Sequence, residues 1–165
     1  MITESISQRD ATSADQAFLA RLYADTRSQE VSAWGWPTEQ QEWFLRMQFE
    51  ARQVSYRTSF PNATDCIVLQ EDKPIGRILT NQEGTSMRLI DIALIEEHRQ
   101  QGIGTYLLRR VLQQCQKQGL SLHLQVAQGN PAVRLYQRLG FQKTDADAMY
   151  VQMEWPLLIS EKELC

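Results

Sequence analysis

The chain of 165 residues carries a net charge of −3, a length that suits a single domain over residues 1–165 and a charge that leaves no electrostatic footprint for nucleic acid or a membrane surface. Its three cysteines, Cys66, Cys115 and Cys165, are widely spaced, and its two histidines are His98 and His123, so neither a disulfide framework nor a zinc spacing emerges, no metal is expected, and a reducing cytoplasm suits the composition. No apolar run approaches the ~18–20 residues that span a bilayer, and Met1-Ile2-Thr3-Glu4-Ser5 lacks the charged start and apolar core of a signal peptide.

Ile2 to Ser7 alternates apolar and polar residues and reads as a first strand. Thr12, with Asp15 three residues on, has the pattern of a capping box. Phe18, Leu19, Leu22 and Tyr23 then mark the buried face of a first helix. The stretch Ser32 to Pro37 breaks it. Thr38 to Gln41 is a second capping pattern, opening a longer helix that ends near Arg57. The buried face of that helix is expected to carry Trp43, Phe44, Met47, Ala51 and Val54. Phe60-Pro61-Asn62 is a loop.

Cys66 to Leu69 reads as a strand, Gln70 to Pro74 as a hairpin turn, and Ile75 to Thr80 as the next strand. Asn81 to Gly84 turns the chain into a strand over 86–95. A helix over 103–118 follows, with apolar Leu107, Leu108, Val111 and Leu112 at helical spacing, and Gly119 stops it. Leu120 to Val126 alternates as a strand, parallel to the previous one because a helix connects them. Asn130-Pro131 opens a last helix that Leu135 and Leu139 pack and Gly140 ends. Phe141 to Thr144 and Met149 to Trp155 form a closing hairpin.

The informative stretch joins the strand at 86–95 to the helix at 103–118. Arg99-Gln100-Gln101-Gly102-Ile103-Gly104-Thr105 puts glycines where a strand turns into a helix. The first N–H groups of a helix lack partners within it, and the helix dipole adds about half a positive charge there. Glycines let an anion approach that backbone, and Arg99 adds a fixed charge at its mouth. A tight turn alone would also call for glycine. Asp91 lies mid-strand among apolar residues, where a carboxylate must be paired or wet. An ion pair with Arg77 or Arg88 is one reading of it.

Ile92 to Gly104 resembles motif A of the GNAT superfamily of N-acetyltransferases, and Asn130-Pro131-Ala132-Val133-Arg134-Leu135-Tyr136-Gln137-Arg138-Leu139-Gly140-Phe141 resembles its motif B. The two blocks stand in the family's order. The resemblance implies an α/β (α+β) fold, a mixed, twisted sheet of six to seven strands with four helices on both faces. It also implies that the strands at 86–95 and 120–126 splay apart at their C-terminal ends, with the pantetheine arm of acetyl-CoA in the opening.

Carried over position by position, the resemblance makes Leu94, Ile95, Arg99, Gln100, Gln101, Gly102, Ile103, Gly104, Thr105, Asn130 and Tyr136 cofactor-binding residues. Acetyl-CoA is the cosubstrate and a primary amine, on a small molecule or a peptide, the acceptor. Tyr136 matches the general-acid tyrosine; packing beside Leu135 and Leu139 is its bland alternative. Asn130 can be a cofactor contact and a helix cap at once. Asp91 is the candidate base or amine anchor. Glu96 and Glu97 read as solvated charges, and a lone strand histidine such as His123 as structural. Trp34 and Trp36, between the first two helices, are candidate acceptor-binding residues, with Asp91. Closing the core is their alternative role. A CoA-binding module without turnover is the rival function. Many relatives are homodimers, which extends to this chain by analogy only.

Overall fold

The computed structural model describes residues 2–156. In chain order the elements are β1 (Ile6–Asp10), α1 (Gln16–Ser32), α2 (Thr38–Ser59), β2 (Thr64–Gln70), β3 (Lys73–Glu83), β4 (Ser86–Leu94), α3 (Ile103–Gln118), β5 (Ser121–Ala127), α4 (Ala132–Arg138), β6 (Gln142–Ala146) and β7 (Tyr150–Trp155). Short 3₁₀ turns lie at Ile2–Ser5, Ser13–Asp15 and Glu96–His98. The strands form one seven-stranded mixed sheet in the order β1-β2-β3-β4-β5-β7-β6. This is the mixed α/β arrangement expected, with seven strands and four α-helices. Among the described residues no helix is long and apolar enough to cross a membrane.

The described residues pack as two compact units, residues 2–79 with Asp91–Gly104, and Thr80–Ile90 with residues 105–156. In the first unit β1 pairs antiparallel with β2, from Ile6↔Gln70 to Asp10↔Cys66. The strand expected at Ile2 to Ser7 is therefore corrected to Ile6–Asp10. Its partner ends at Gln70, because Glu71 and Asp72, with φ of 49° and 66°, make a tight two-residue turn into β3. The Glu71 N–H donates to Ser5 O at 3.2 Å and closes the ladder there. Ahead of α1 the Thr12 N–H donates to the Asp15 carboxylate at 2.8 Å. The same carboxylate takes both terminal nitrogens of Arg9 at 2.8 Å, which holds it well below the usual carboxylate range.

The buried face of α2 differs from the expected one. Leu45, Phe49 and Gln53 are buried, whereas Trp43, Met47 and Val54 are 61%, 42% and 54% exposed. At 100° per residue these sets lie on opposite sides of the helix. Apolar spacing alone misled because Gln53 is buried to serve a hydrogen bond, with its Oε1 accepting from Arg77 Nη1 at 2.9 Å. The expected Thr38 cap is also corrected: Pro37 is the cap residue and Thr38 the first helical one. Gln41 reaches back to the Trp36 carbonyl at 2.7 Å. Against this helix packs α1, with Tyr23 and Phe49 rings 6.1 Å apart.

In the second unit α3 buries Leu107, Leu108, Val111 and Cys115, and β5 buries Leu122, Leu124 and Val126. The parallel ladder of β4 with β5 holds the pairs Ser86↔Ser121 to Leu89↔Leu124, while β4 runs on to Leu94 and β5 to Ala127. On its other side β5 pairs antiparallel with β7, from Leu122↔Trp155 to Ala127↔Tyr150. The closing hairpin is shifted from its expected bounds. Asp147 Oδ1 accepts from the Met149 and Tyr150 N–H groups at 2.8 and 2.7 Å and holds the turn, so that β6 extends to Ala146 and β7 starts at Tyr150.

One close approach in the first unit excludes any side chain. A Cβ on Gly76 in β3 would collide with the Ala93 carbonyl oxygen and stand 2.7 Å from Leu94 Cδ2. Backbone on that side cannot yield as a flexible side chain would. Gly76→Ala should therefore destabilise the protein by about 1–3 kcal/mol, read as a lower urea midpoint at unchanged slope. An unchanged midpoint would contradict this packing.

Candidate active site

Asp91 follows directly on the last residue of β4 that belongs to the second unit and begins the part of the strand that leads into the glycine loop. Its side chain opens into a pocket of about 220 Å³ lined by Leu19, Leu22, Tyr23 and Thr26 of α1, Phe49, Arg52 and Gln53 of α2, Arg77 of β3, and Ile92 and Ala93 beside it. Only 20% of the Asp91 side chain is exposed. Burial pushes its carboxyl above the ordinary range; Arg52 and then Arg77 pull it back, but less.

The cations around it are held differently. Arg77 is buried and gives both ends of its fork to Asp65, Nε to Oδ1 and Nη2 to Oδ2, each at 2.8 Å, while Nη1 goes to Gln53. Arg52 lies over the rings of Tyr23 and Tyr56, at 5.5 and 5.3 Å from their centroids, and its Nε donates to the Tyr56 hydroxyl. Its Nη2 stands 3.6 Å from Asp91 Oδ1, close enough for attraction and beyond a good hydrogen bond. The ion partner of Asp91 is thus Arg52. It is neither Arg77, which Asp65 takes, nor Arg88, whose Nε lies 3.7 Å from Glu83. Arg77 lines the same pocket, but its fork is spent on Asp65 and Gln53, so the pairing arginine comes from α2.

The glycine loop is braced from within the first unit. Arg99 Nε donates to the Leu94 carbonyl at 2.8 Å and its Nη2 to Asp25 at 3.3 Å. Asp25 also accepts from the Glu96 N–H at 2.7 Å. Arg99 therefore ties the loop to the end of β4 and to α1, and Asp25 answers much of the charge expected at the loop's mouth. The Ile95 N–H donates to Ile75 O at 2.9 Å, and Gln101 Nε2 to Glu97 O at 2.9 Å. Gln100 and Gly102 have φ of 60° and 81°, a left-handed geometry that glycine adopts without strain. Beyond the flanking residues and the backbone of its own helix, no heavy atom lies within 4 Å of a Cβ built on Gly104. Ile103 is fully buried and begins α3, and Thr105 is half-buried.

Elsewhere, Tyr136 is 9% exposed, its ring 5.5 Å from that of Phe141. Asn130 Oδ1 accepts from the Ala132 N–H at 2.9 Å, but the cap position of α4 is held by Pro131, so the expected Asn130 cap is corrected by one residue. Trp34 and Trp36 meet each other at a tilt and Phe44 edge to face, with centroids 5.0 to 5.6 Å apart, and neither lines the pocket. His123 sits 3.1 Å from Ser121 Oγ and 3.6 Å from Glu154 at the surface of β5. Glu96 and Glu97 are exposed, as expected. Sequence reasoning missed Arg52, Gln53 and Asp25. The spacing of Arg52 and Tyr56, four apart on one helix, was a signal for the first.

The Acetyltransferase (GNAT) family model matches residues 19–141. The PaiA N-acetyltransferase of Thermoplasma acidophilum, solved in complex with coenzyme A, superposes with a TM-score of 0.69 at 20% identity, over 91% of this chain and 98% of that one. An acetyltransferase from Thermus thermophilus gives 0.67 at 20% identity, over 95% and 100%. The ribosomal-protein-S18-alanine N-acetyltransferase of Escherichia coli gives 0.61 at 18% identity, over 94% and 97%. At these identities the likeness is one of fold. No protein of curated function matches the sequence significantly.

The pocket makes a prediction about stability. The folded-state pKa of Asp91 lies above its unfolded value, so ionisation costs more in the fold. Its contribution is most favourable below the unfolded pKa, near 3.9, and declines as pH rises through the folded pKa. Asp91→Asn should therefore leave the melting temperature at pH 7 unchanged or raised. A clear fall at pH 7 would mean that the pair with Arg52 is a net structural bond.

Proposed function

The chain belongs to the GNAT acetyltransferase family, and from that premise we propose that it moves an acetyl group from acetyl-CoA to a primary amine seated beside Asp91. The observation that carries this reading is a half-buried carboxylate, held above its ordinary pKa, on the strand that leads into a glycine-bearing helix start. An alkyl ammonium is almost wholly protonated at neutral pH, and only the free base attacks. A carboxylate with a raised pKa is a better proton acceptor than an ordinary one.

In the proposed reaction Asp91 anchors the ammonium and takes its proton. The amine nitrogen then attacks the thioester carbonyl carbon; the C–N bond forms as the C–S bond breaks. Backbone N–H groups around Leu94 and Ile95 are proposed to polarise the carbonyl. The N–H groups of Gly102 to Thr105, with Gln100 and Gln101, are proposed to seat the pyrophosphate of acetyl-CoA. Arg99 serves that seat by bracing the loop rather than by presenting a bare charge. Tyr136 gives a proton to the departing thiolate and is reprotonated by the second proton that the new amide nitrogen sheds, and Asn130 shapes the start of its helix. The motif supports these last two roles. Trp34 and Trp36 form a rigid wall on the loop between α1 and α2 that is proposed to border the acceptor's path.

Gly104 is the cleaner probe of the anion seat, because a substitution at Gly102 would strain the backbone whatever it did to a ligand. Gly104→Leu should weaken CoA binding by at least tenfold, about 1.4 kcal/mol, with an unchanged melting temperature; equal affinity in a calorimetric titration would remove the pyrophosphate from this loop. Transfer itself is tested by release of free CoA thiol across a panel of amines and amino-terminal peptides. Tight CoA binding with no thiol release from any acceptor would favour the module without turnover. With an acceptor in hand, Tyr136→Phe should lower turnover by ~10²-fold or more, as loss of a general acid does, and change CoA affinity by less than tenfold. Turnover within about threefold of the parent would leave Tyr136 a packing residue.

A further inference from the structure

We infer that the acceptor is a small amino carboxylate with an apolar side chain, its ammonium on Asp91 and its carboxylate on Arg52. This rests on the transfer reading above and narrows it. The pocket holds two formal charges with room to take new partners, and they are of opposite sign. Arg77 is spent on Asp65 and Gln53. Arg52 is not spent in this way. Its hydrogen bond among the described residues leaves from Nε to Tyr56, and its side chain is 41% exposed. The Tyr23 and Tyr56 rings lie 5.5 and 5.3 Å from the guanidinium carbon and Nε is held by Tyr56, which steadies the group and leaves its terminal nitrogens for a planar anion.

The separation of the two protein charges matters. Arg52 Nη2 and Asp91 Oδ1 are 3.6 Å apart, without a close hydrogen bond between them. An acceptor that carries only an ammonium would approach Asp91 and set a like charge against Arg52 in a half-buried pocket. Discrimination by such an unanswered charge is stronger than discrimination by an extra favourable contact. An ammonium with a carboxylate one carbon away meets both groups and leaves neither unpaired. The remaining walls are Leu19, Leu22, Phe49 and the Tyr23 ring, which suit an apolar side chain. A volume near 220 Å³ lies below the ~300–1,000 Å³ of drug-sized sites and favours a small acceptor.

The test compares phenylalanine with phenethylamine, and leucine with isoamylamine, as acceptors for the full chain with saturating acetyl-CoA. Each pair differs by the carboxylate alone. The parent should prefer the carboxylated member by at least tenfold in kcat/KM. Arg52→Gln should collapse that preference at least tenfold, chiefly through KM, and Arg52→Lys should restore part of it. The melting temperatures of both variants establish that they are folded. Equal or better use of phenethylamine and isoamylamine would overturn the inference while leaving amine acetylation standing. A parallel calorimetric titration of phenylalanine into the CoA-saturated protein separates the two readings. Binding that depends on Arg52, without turnover of any amine, would keep the pocket assignment and defeat the transfer reading. Failure of both amino acids to bind or react would overturn the inference.

Discussion

Asp91 stands between Ile90 and Ile92 in β4, where a charged side chain costs several kcal/mol in lost hydration unless cations answer it. The first unit is arranged around that requirement. Arg77, fixed by Asp65 and Gln53, supplies a positive field from the neighbouring strand. Arg52 comes from α2 and is steadied by Tyr23 and Tyr56. Gln53 is buried to orient Arg77, and its burial sets which side of α2 faces inward. The answering charges are incomplete, so Asp91 keeps a raised pKa. A fully paired carboxylate would be more acidic than usual and a poor proton acceptor; this one is left basic.

The glycine loop depends on the same strand. Leu94 ends β4 and gives its carbonyl to Arg99, and Asp25 holds both Arg99 and the Glu96 N–H. The start of α3 is therefore set by contacts that reach back to α1 and β4. Gly102 allows the left-handed turn, and the space beside Gly104 keeps the helix start open. Rigid placement of backbone donors is what lets them act without reorganising when charge develops.

Much of this was legible in the sequence where one signal dominated. α3 runs over the residues expected, because Leu107, Leu108 and Val111 repeat at helical spacing and glycines bound it at both ends. β5 matched within a residue because Leu122, Leu124 and Val126 alternate cleanly. Long-range pairing was not legible. Trp43, Met47 and Val54 make an apolar row that reads as a core face, yet the helix turns that row outward, because nothing local records that Gln53 must meet Arg77. Asp91 was recognisable as a charge in need of a partner, but the nearby arginines were the wrong ones. β1 slipped by four residues because a strand ends where its partner's turn begins, and that turn lies about sixty residues on.

Asp91 is proposed to take the proton of a bound amine, and the pH dependence of kcat/KM tests that role most directly. Around this group lie Arg52, Arg77, Asp65 and Tyr56, and burial also pushes the Tyr56 hydroxyl upward, away from the acid range. For the parent the rate should rise through an apparent pKa above the ordinary 3.8 of aspartate and level off well below the pKa of the amine. For Asp91→Asn that rise should vanish, and the rate should climb with the free amine alone to the amine's own pKa. The same profile in both proteins would contradict the account and place the base elsewhere.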